Sequence, residues 1–109
     1  MKNGKWIQGE ETRIRKALYA DKTRSSIVWR AWWRLYDYLF ATDSVKGTNY
    51  VMVLLQVYFP EQSKPPAGYR IGMETFVSER TQARYRKEFL EYYHFFHKYE
   101  TGELKRANF

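Results

Sequence analysis

Apolar residues recur at intervals of three and four along two long segments, and this spacing restricts the chain to a helical fold. Residues 25–41 carry one such stripe and residues 79–99 carry another. A helix of 3.6 residues per turn places side chains with this spacing on one buried face. The first stripe is Val28, Trp32, Leu35, Tyr36 and Leu39, and the second is Tyr85, Phe89, Tyr92, Phe96 and Tyr99. We therefore predict an all-α protein.

The remaining segments complete a small single-domain helical bundle of about four to five helices. Residues 10–20 predict a first helix whose N-terminus is complemented by Glu10 and Glu11. The apolar run 49–59 is compatible with a strand, but no second strand is visible to pair with it. A buried helix is the better interpretation, and residues 69–76 predict a further short helix.

The ends of the chain are expected to lie outside this domain, which we place at residues 10–100. Residues 1–9 contain two glycines and scattered charge, so they predict a flexible N-terminal arm. Residues 101–109 follow the last helix and predict a frayed C-terminal tail. The polar segment 41–48, with Gly47, predicts a connection or a frayed helix start.

The segment from residue 69 to residue 99 predicts a helix-turn-helix. Gly72 provides the small residue that two closely crossing helices need, and Val77 lies where it can hold them together. Ser78 is a typical N-cap, because its hydroxyl can accept hydrogen bonds from the first backbone amides of the helix. The second helix of the motif, residues 78–90, would then enter the major groove of DNA.

The charge of the chain favours an anionic partner. The 109 residues carry a formal charge of +7 and the pI is about 9.7. Such a balance suits nucleic acid, an acidic protein or an anionic membrane. Within residues 78–87 there are four Lys or Arg against one acidic residue, so the charge is concentrated on the second helix of the motif.

We expect double-stranded DNA to contact the exposed surface of this helix. Arg pairs well with guanine and Gln with adenine, so Gln82 and Arg86 are predicted to face base edges. Arg80, Arg84 and Lys87 are predicted to hold phosphates or the walls of the groove. The competing interpretation is a structural helical hairpin whose charged face is only solvated.

The order of these elements resembles the sigma-region-4-like domains of small ArpU/RinA-type phage and prophage late-gene regulators. The resemblance covers about residues 35–99, and it is specific mainly over 71–90, where Val77-Ser78 is followed by Thr81 and a basic helix. It implies a transcriptional regulator encoded by a phage or prophage of a Gram-positive bacterium. By position, it implies Ser78 as the cap and the following contact residues: Arg80, Thr81, Arg84, Arg86 and Lys87.

The regulator hypothesis and the aromatic stripe of the last helix each predict a further partner. A regulator of this kind would also contact host RNA polymerase or another host protein. The aromatic stripe from Tyr92 to Tyr99 continues past what the motif needs, so a homodimer is a candidate. Two alternative functions remain open: a phage module that inhibits a host nucleic-acid enzyme, as anti-CRISPR proteins do, or a small-terminase-like DNA-packaging protein.

Other classes of function are not indicated. The chain has no Cys, and no glycine-rich phosphate loop or catalytic triad can be recognised, so we expect no enzyme and no cofactor. His94 and His97 have a spacing that could share a metal, but a half-buried pair on an aromatic helix is the better interpretation. Trp29, Trp32 and Trp33 could stack on bases but are expected in the core. Since no signal segment or membrane-length apolar run is visible, we expect a cytoplasmic protein with no membrane partner.

Overall fold

Five α-helices make up the fold. The computed structural model describes residues 4–61 and 65–102, and in these ranges the regular secondary structure is all α-helical. The helices are α1 (Gly4–Ala20), α2 (Ile27–Lys46), α3 (Tyr50–Tyr58), α4 (Gly68–Thr75) and α5 (Glu79–Thr101). The Cα radius of gyration is 14.2 Å, close to the ~13 Å of a compact domain of about this length. The predicted all-α, single-domain architecture is confirmed.

The core is built around α2 and α5, which form the most extensive helix pair. Leu35 and Leu39 of α2 and Phe89 of α5 are completely buried, as the two apolar stripes predict. Trp29 and Trp32 are buried with them, and large aromatic side chains give this short chain much of its buried apolar surface. Trp33 differs from the prediction, because 42% of it remains exposed.

The first helix begins at Gly4, six residues before the predicted start. The arm predicted at residues 1–9 is therefore wrong for residues 4–9, and residues 1–3 lie outside the described part of the chain. The physical reason is Ile7, which packs against the core and extends the buried stripe of Ile14 and Leu18 by two turns. Packing of an apolar side chain outweighs the low helix propensity of the two glycines in this stretch.

The second helix continues to Lys46, so the connection predicted at 41–48 is wrong for residues 41–46. Two hydroxyls bond back to the helix: Thr42 Oγ1 donates to the carbonyl of Tyr38 at 2.9 Å, and Ser44 Oγ to that of Phe40 at 3.0 Å. These bonds let polar residues stay helical. The helix ends at Gly47, whose φ of 69° is the left-handed conformation that glycine adopts readily.

The short connection 47–49 fixes the positions of α3 and α4. The carboxylate of Asp43 accepts the backbone N–H groups of Tyr50 and Val51 at 2.9 Å, so it caps α3. Asn49 Nδ2 donates to the carbonyl of Thr75 at 2.7 Å, at the C-terminus of α4. The start of α3 is thereby tied to the turn that precedes α5.

The last helix ends two residues later than predicted. Thr101 is its last residue, and Gly102 adopts the left-handed conformation, with φ of 88°. Residue 101 of the predicted tail is thus helical, and residues 103–109 lie outside the described residues.

Candidate nucleic-acid interface

Two helices joined by a three-residue turn form the predicted motif. Residues 76–78 separate α4 from α5, as in a helix-turn-helix. Ser78 is the N-cap of α5: its Oγ accepts the N–H of Thr81 at 3.2 Å. Thr81 is half-buried, and its Oγ1 lies 3.1 Å from the same serine oxygen. Both residues therefore shape the N-terminus of α5.

The crossing of α4 and α5 leaves little room for a side chain at position 72. A Cβ on Gly72 would lie 3.0 Å from the carbonyl oxygen of Val77 and 3.3 Å from Nε2 of Gln82. Both distances are tighter than ordinary van der Waals contact. Gly72 thus has the role predicted for it, and Val77 is buried beneath the turn.

Gln82 does not lie on the exposed surface, so its predicted exposure is wrong. Only 3% of the residue is exposed. Its Nε2 donates to the carbonyls of Gly68 at 2.9 Å and Val77 at 2.8 Å. The amide satisfies two acceptors at the crossing of α4 and α5, a task that an aliphatic residue could not perform.

Arg86 is also turned inward, and its predicted exposure is wrong. Its guanidinium forms a bidentate ion pair with the carboxylate of Glu11 in α1. Nε lies 2.9 Å from Oε2, and NH2 lies 2.5 Å from Oε1. The Glu11 side chain is 1% exposed and the Arg86 side chain 21%. Hydrogen bonding to Glu11 raises the pKa of Arg86 above its ordinary value. This ion pair fixes α5 against α1, and neither charge is available to a ligand as it stands.

Sequence reasoning missed Glu11 as the partner of Arg86. Glu11 was assigned to the start of the first helix, where a carboxylate suits the dipole. Because α1 begins at Gly4, Glu11 is an interior residue and lies three before Ile14 on the buried stripe. A charged residue on a buried stripe is a signal that a partner must exist, since a lone buried charge is costly.

Three cationic side chains do face outward from the first half of α5. Arg80, Arg84 and Lys87 are all exposed, and at 3.6 residues per turn they lie within an arc of about 60°. They extend over about 10 Å of helix. Among the described residues, no ion pair within 4.0 Å involves any of the three. They form what we call the cationic stripe.

Most other arginines among the described residues, unlike the two in the cationic stripe, bind a carboxylate or a backbone carbonyl. Arg13 pairs with Glu10, Arg30 and Arg34 both pair with Glu100, and Arg15 donates to the carbonyl of Val57. In the stripe, by contrast, Arg84 interacts with Tyr85 and pairs with no carboxylate among the described residues; its Cζ lies 5.6 Å from the centroid of the Tyr85 ring. The stripe therefore presents positive charge that no ion pair within the described residues neutralises, beside the N-terminus of α5, where the helix dipole adds to it and Glu79 partly offsets it.

The histidine pair begins about two turns after Lys87 along α5. His94 Nε2 is 3.4 Å from Glu10 Oε1, and burial lowers the pKa of His94 below its ordinary value. His97 packs near the ring of Tyr93. In residues 4–61 and 65–102, no group of three or more potential ligands is arranged to hold a metal ion.

The aromatic end of α5 is partly exposed. Phe95 is 53% exposed and Tyr38 of α2 is 44% exposed, while Tyr92 and Phe96 pack on the core. The homodimer stays a prediction. As for membranes, no helix in the described part of the chain is both long and apolar enough to span a bilayer.

Comparison with known proteins returns no relative. No protein-family model matches the chain, and no curated protein or solved structure matches it either. The resemblance to ArpU/RinA-type regulators therefore stays a prediction, and any functional argument must come from the site itself.

Proposed function

We propose that this chain is a sequence-specific, double-stranded-DNA-binding transcriptional regulator of phage or prophage origin. One observation carries the DNA-binding part: on the helix that follows a three-residue turn, the cationic stripe forms no ion pair with any residue that the structure describes. Regulation and phage origin rest on the resemblance of residues 71–90 to late-gene regulators. The reading helix is α5 from Ser78 to about residue 90.

Electrostatics supplies the affinity in this proposal. Lys and Arg that neutralise phosphates release condensed counterions, which gives most of the sequence-independent binding energy. The stripe offers three such charges on one side of a helix, and the net charge of +7 raises the rate of encounter with DNA. Ser78, at the capped N-terminus, marks the end of α5 that enters the groove first.

Base reading in this proposal falls to the outward side of α5. Because Gln82 and Arg86 are bound within the protein, the readers come from the cationic stripe. We assign Arg80, nearest the N-terminus of the helix, to a guanine edge, where arginine can donate two hydrogen bonds. Arg84 and Lys87 are assigned to phosphates, which position the helix without specifying sequence.

A salt titration tests the proposal. Fluorescence anisotropy of a labelled random-sequence duplex is measured with the wild-type chain between about 50 and 200 mM salt. Two phosphate contacts, from Arg84 and Lys87, predict that log K falls against log salt with a slope of about −2. Selection from a random duplex library then tests sequence specificity. Absence of binding at about 50 mM salt, or a slope near zero, would contradict DNA binding through the stripe.

A further inference from the structure

Phe76 has a backbone conformation that its own side chain makes unfavourable. It is the C-cap of α4, with φ 60° and ψ 27° in the left-handed region, and its N–H donates to the carbonyl of Gly72 at 2.8 Å. Glycine populates this region without cost, whereas a residue with a Cβ is strained there. An aromatic residue at such a position needs a specific explanation.

The fold holds the backbone of Phe76 in place without using its ring. Asn49 Nδ2 binds the carbonyl of Thr75, and Thr75 Oγ1 accepts the N–H of Val77 at 3.3 Å. The Phe76 residue itself is 89% exposed, the highest value among the exposed large hydrophobic residues described. No ring–ring contact within the described residues involves it. The turn requires a left-handed residue, but it does not require a phenyl ring.

The ring of Phe76 lies near the N-terminus of α5, the helix proposed to read DNA. Phe76 precedes the N-cap Ser78 by two residues, and Arg80 follows the cap by two. Phe76 also lines an open depression of about 440 Å³ together with Ser78, Thr81 and the 47–49 connection. There is therefore room beside the ring for a group of a ligand that α5 has already engaged.

We propose that Phe76 contacts the C5-methyl group of a thymine in the major groove and makes the protein prefer thymine at one position of its site. This rests on the proposed function, since the N-terminal residues of a recognition helix are the ones that meet base edges. The thymine methyl is the apolar group of the major groove, and phenylalanine is a side chain that contacts it.

Charge favours DNA over a protein as the group that covers Phe76. Tyr69 and Met73 of α4 are also exposed, at 62% and 74%, so an apolar protein surface is the competing occupant. A partner that binds Phe76 near the N-terminus of α5 would also approach Arg80. This arginine has no ion-pair partner among the described residues. DNA satisfies both requirements, because its groove carries methyl groups between rows of phosphates.

The test removes the methyl group from the DNA and the ring from the protein. The probe is a short duplex recovered by selection from a random library with the wild-type chain. Each thymine in it is replaced in turn by deoxyuridine, which lacks only the methyl. Dissociation constants are measured for the wild type and for two variants that suit the left-handed backbone, Phe76→Gly and Phe76→Asn. Met73→Ala is the control for loss of a neighbouring exposed apolar side chain.

The proposal predicts a loss at one position only. Deoxyuridine there weakens wild-type binding about four-fold, the value of one buried methyl-sized group. Phe76→Gly and Phe76→Asn bind the two duplexes equally, and Met73→Ala keeps the four-fold difference. Thermal melting of Phe76→Gly occurs at or above the wild-type temperature, since the strain is relieved.

Three results would overturn the proposal, and they separate it from the proposed function. If the wild type binds a selected duplex but no thymine position is sensitive to deoxyuridine, the methyl contact is wrong while DNA binding stands. If Phe76→Gly retains the difference, another residue reads the methyl group. If selection recovers no preferred duplex, sequence-specific binding itself fails, and the methyl contact fails with it.

Discussion

The two sides of the first half of α5 carry similar polar side chains, but those on the outer side are exposed and those on the inner side bind other parts of the protein. On the outer side, Arg80, Arg84 and Lys87 are exposed and form no ion pair within the described residues. On the inner side, Arg86 binds the buried carboxylate of Glu11, and Gln82 binds two backbone carbonyls. Arg86 and Lys87 are adjacent in sequence, yet one holds the fold together and the other is available to a ligand.

The difference shows that charge density alone does not define an interface. Residues 78–87 contain four Lys or Arg, but only three of them belong to the exposed side. Successive residues of a helix point about 100° apart, so a contiguous basic run is always divided between faces. Burial and hydrogen bonding decide which cations are free. Substitutions on either side of α5, and at surface arginines that are paired with a carboxylate, test this division.

The largest expected effect comes from breaking the inner ion pair. Arg86→Ala leaves Glu11 as an uncompensated charge that is 1% exposed, so the free energy of unfolding should fall by about 3–5 kcal/mol. Urea denaturation measures it. Lys87→Ala is the control on the outer side, and it should change stability by less than about 0.5 kcal/mol. Equal losses in both variants would erase the distinction between the two sides.

A smaller loss of stability is expected at Gln82. Gln82→Ala leaves the carbonyls of Gly68 and Val77 without their donor, which should cost about 2 kcal/mol. Base preference should be unchanged, because the amide is buried and bound within the protein. Urea denaturation and binding to a panel of base-substituted duplexes measure the two properties. A changed preference at a single base pair, with stability unaltered, would show that Gln82 reads DNA after all.

The smallest effect concerns arginines that are paired at the surface. Hydrogen bonding from Arg34, and more weakly from Arg30, lowers the pKa of Glu100 below its ordinary value of 4.5. A lowered carboxyl pKa stabilises the fold above about pH 4.5, and this contribution is lost as the pH falls through the lowered pKa. Since both arginines are about half exposed, the contribution is about 1 kcal/mol or less.

Comparison of the wild type with Glu100→Gln in urea measures this contribution. The difference in unfolding free energy should be present at about pH 7 and should vanish at strongly acidic pH. The cationic stripe has no carboxylate partner in the described residues, so Arg80→Ala should behave like the wild type over this range. A pH-dependent stability difference for Arg80→Ala would mean that the stripe is paired and therefore less available to DNA.

The sequence allowed the helices to be predicted because burial leaves a periodic trace. Leu35, Leu39 and Phe89 lie in the core as their spacing indicates. Helix ends were harder, because they depend on single contacts: Ile7 extends α1, and the side chains of Thr42 and Ser44 keep α2 helical. The turn and its cap were predicted well, since Gly72 and Ser78 act through local geometry.

The inner side of α5 could not be predicted from local sequence. Glu11 lies 75 residues from Arg86 in the chain, and no periodicity links the two. Gln82 looks like a surface residue by type, and only the three-dimensional approach of Gly68 and Val77 reveals two acceptors that need a donor. Hydrogen bonds between polar groups that are distant in sequence are therefore the part of this site that only the three-dimensional structure reveals.

The most direct test of the central claim compares two double variants with equal loss of charge. Arg84→Ala/Lys87→Ala removes the two cations assigned to phosphates, neither of which has an ion-pair partner among the described residues, and Arg30→Ala/Arg34→Ala removes two that are paired with Glu100. Salt-dependent anisotropy titrations of the same duplex are recorded for both. We predict that the first variant reduces the salt slope by about 2 and that the second leaves it unchanged. Equal reductions in both variants, or no reduction in either, would contradict DNA binding through the cationic stripe.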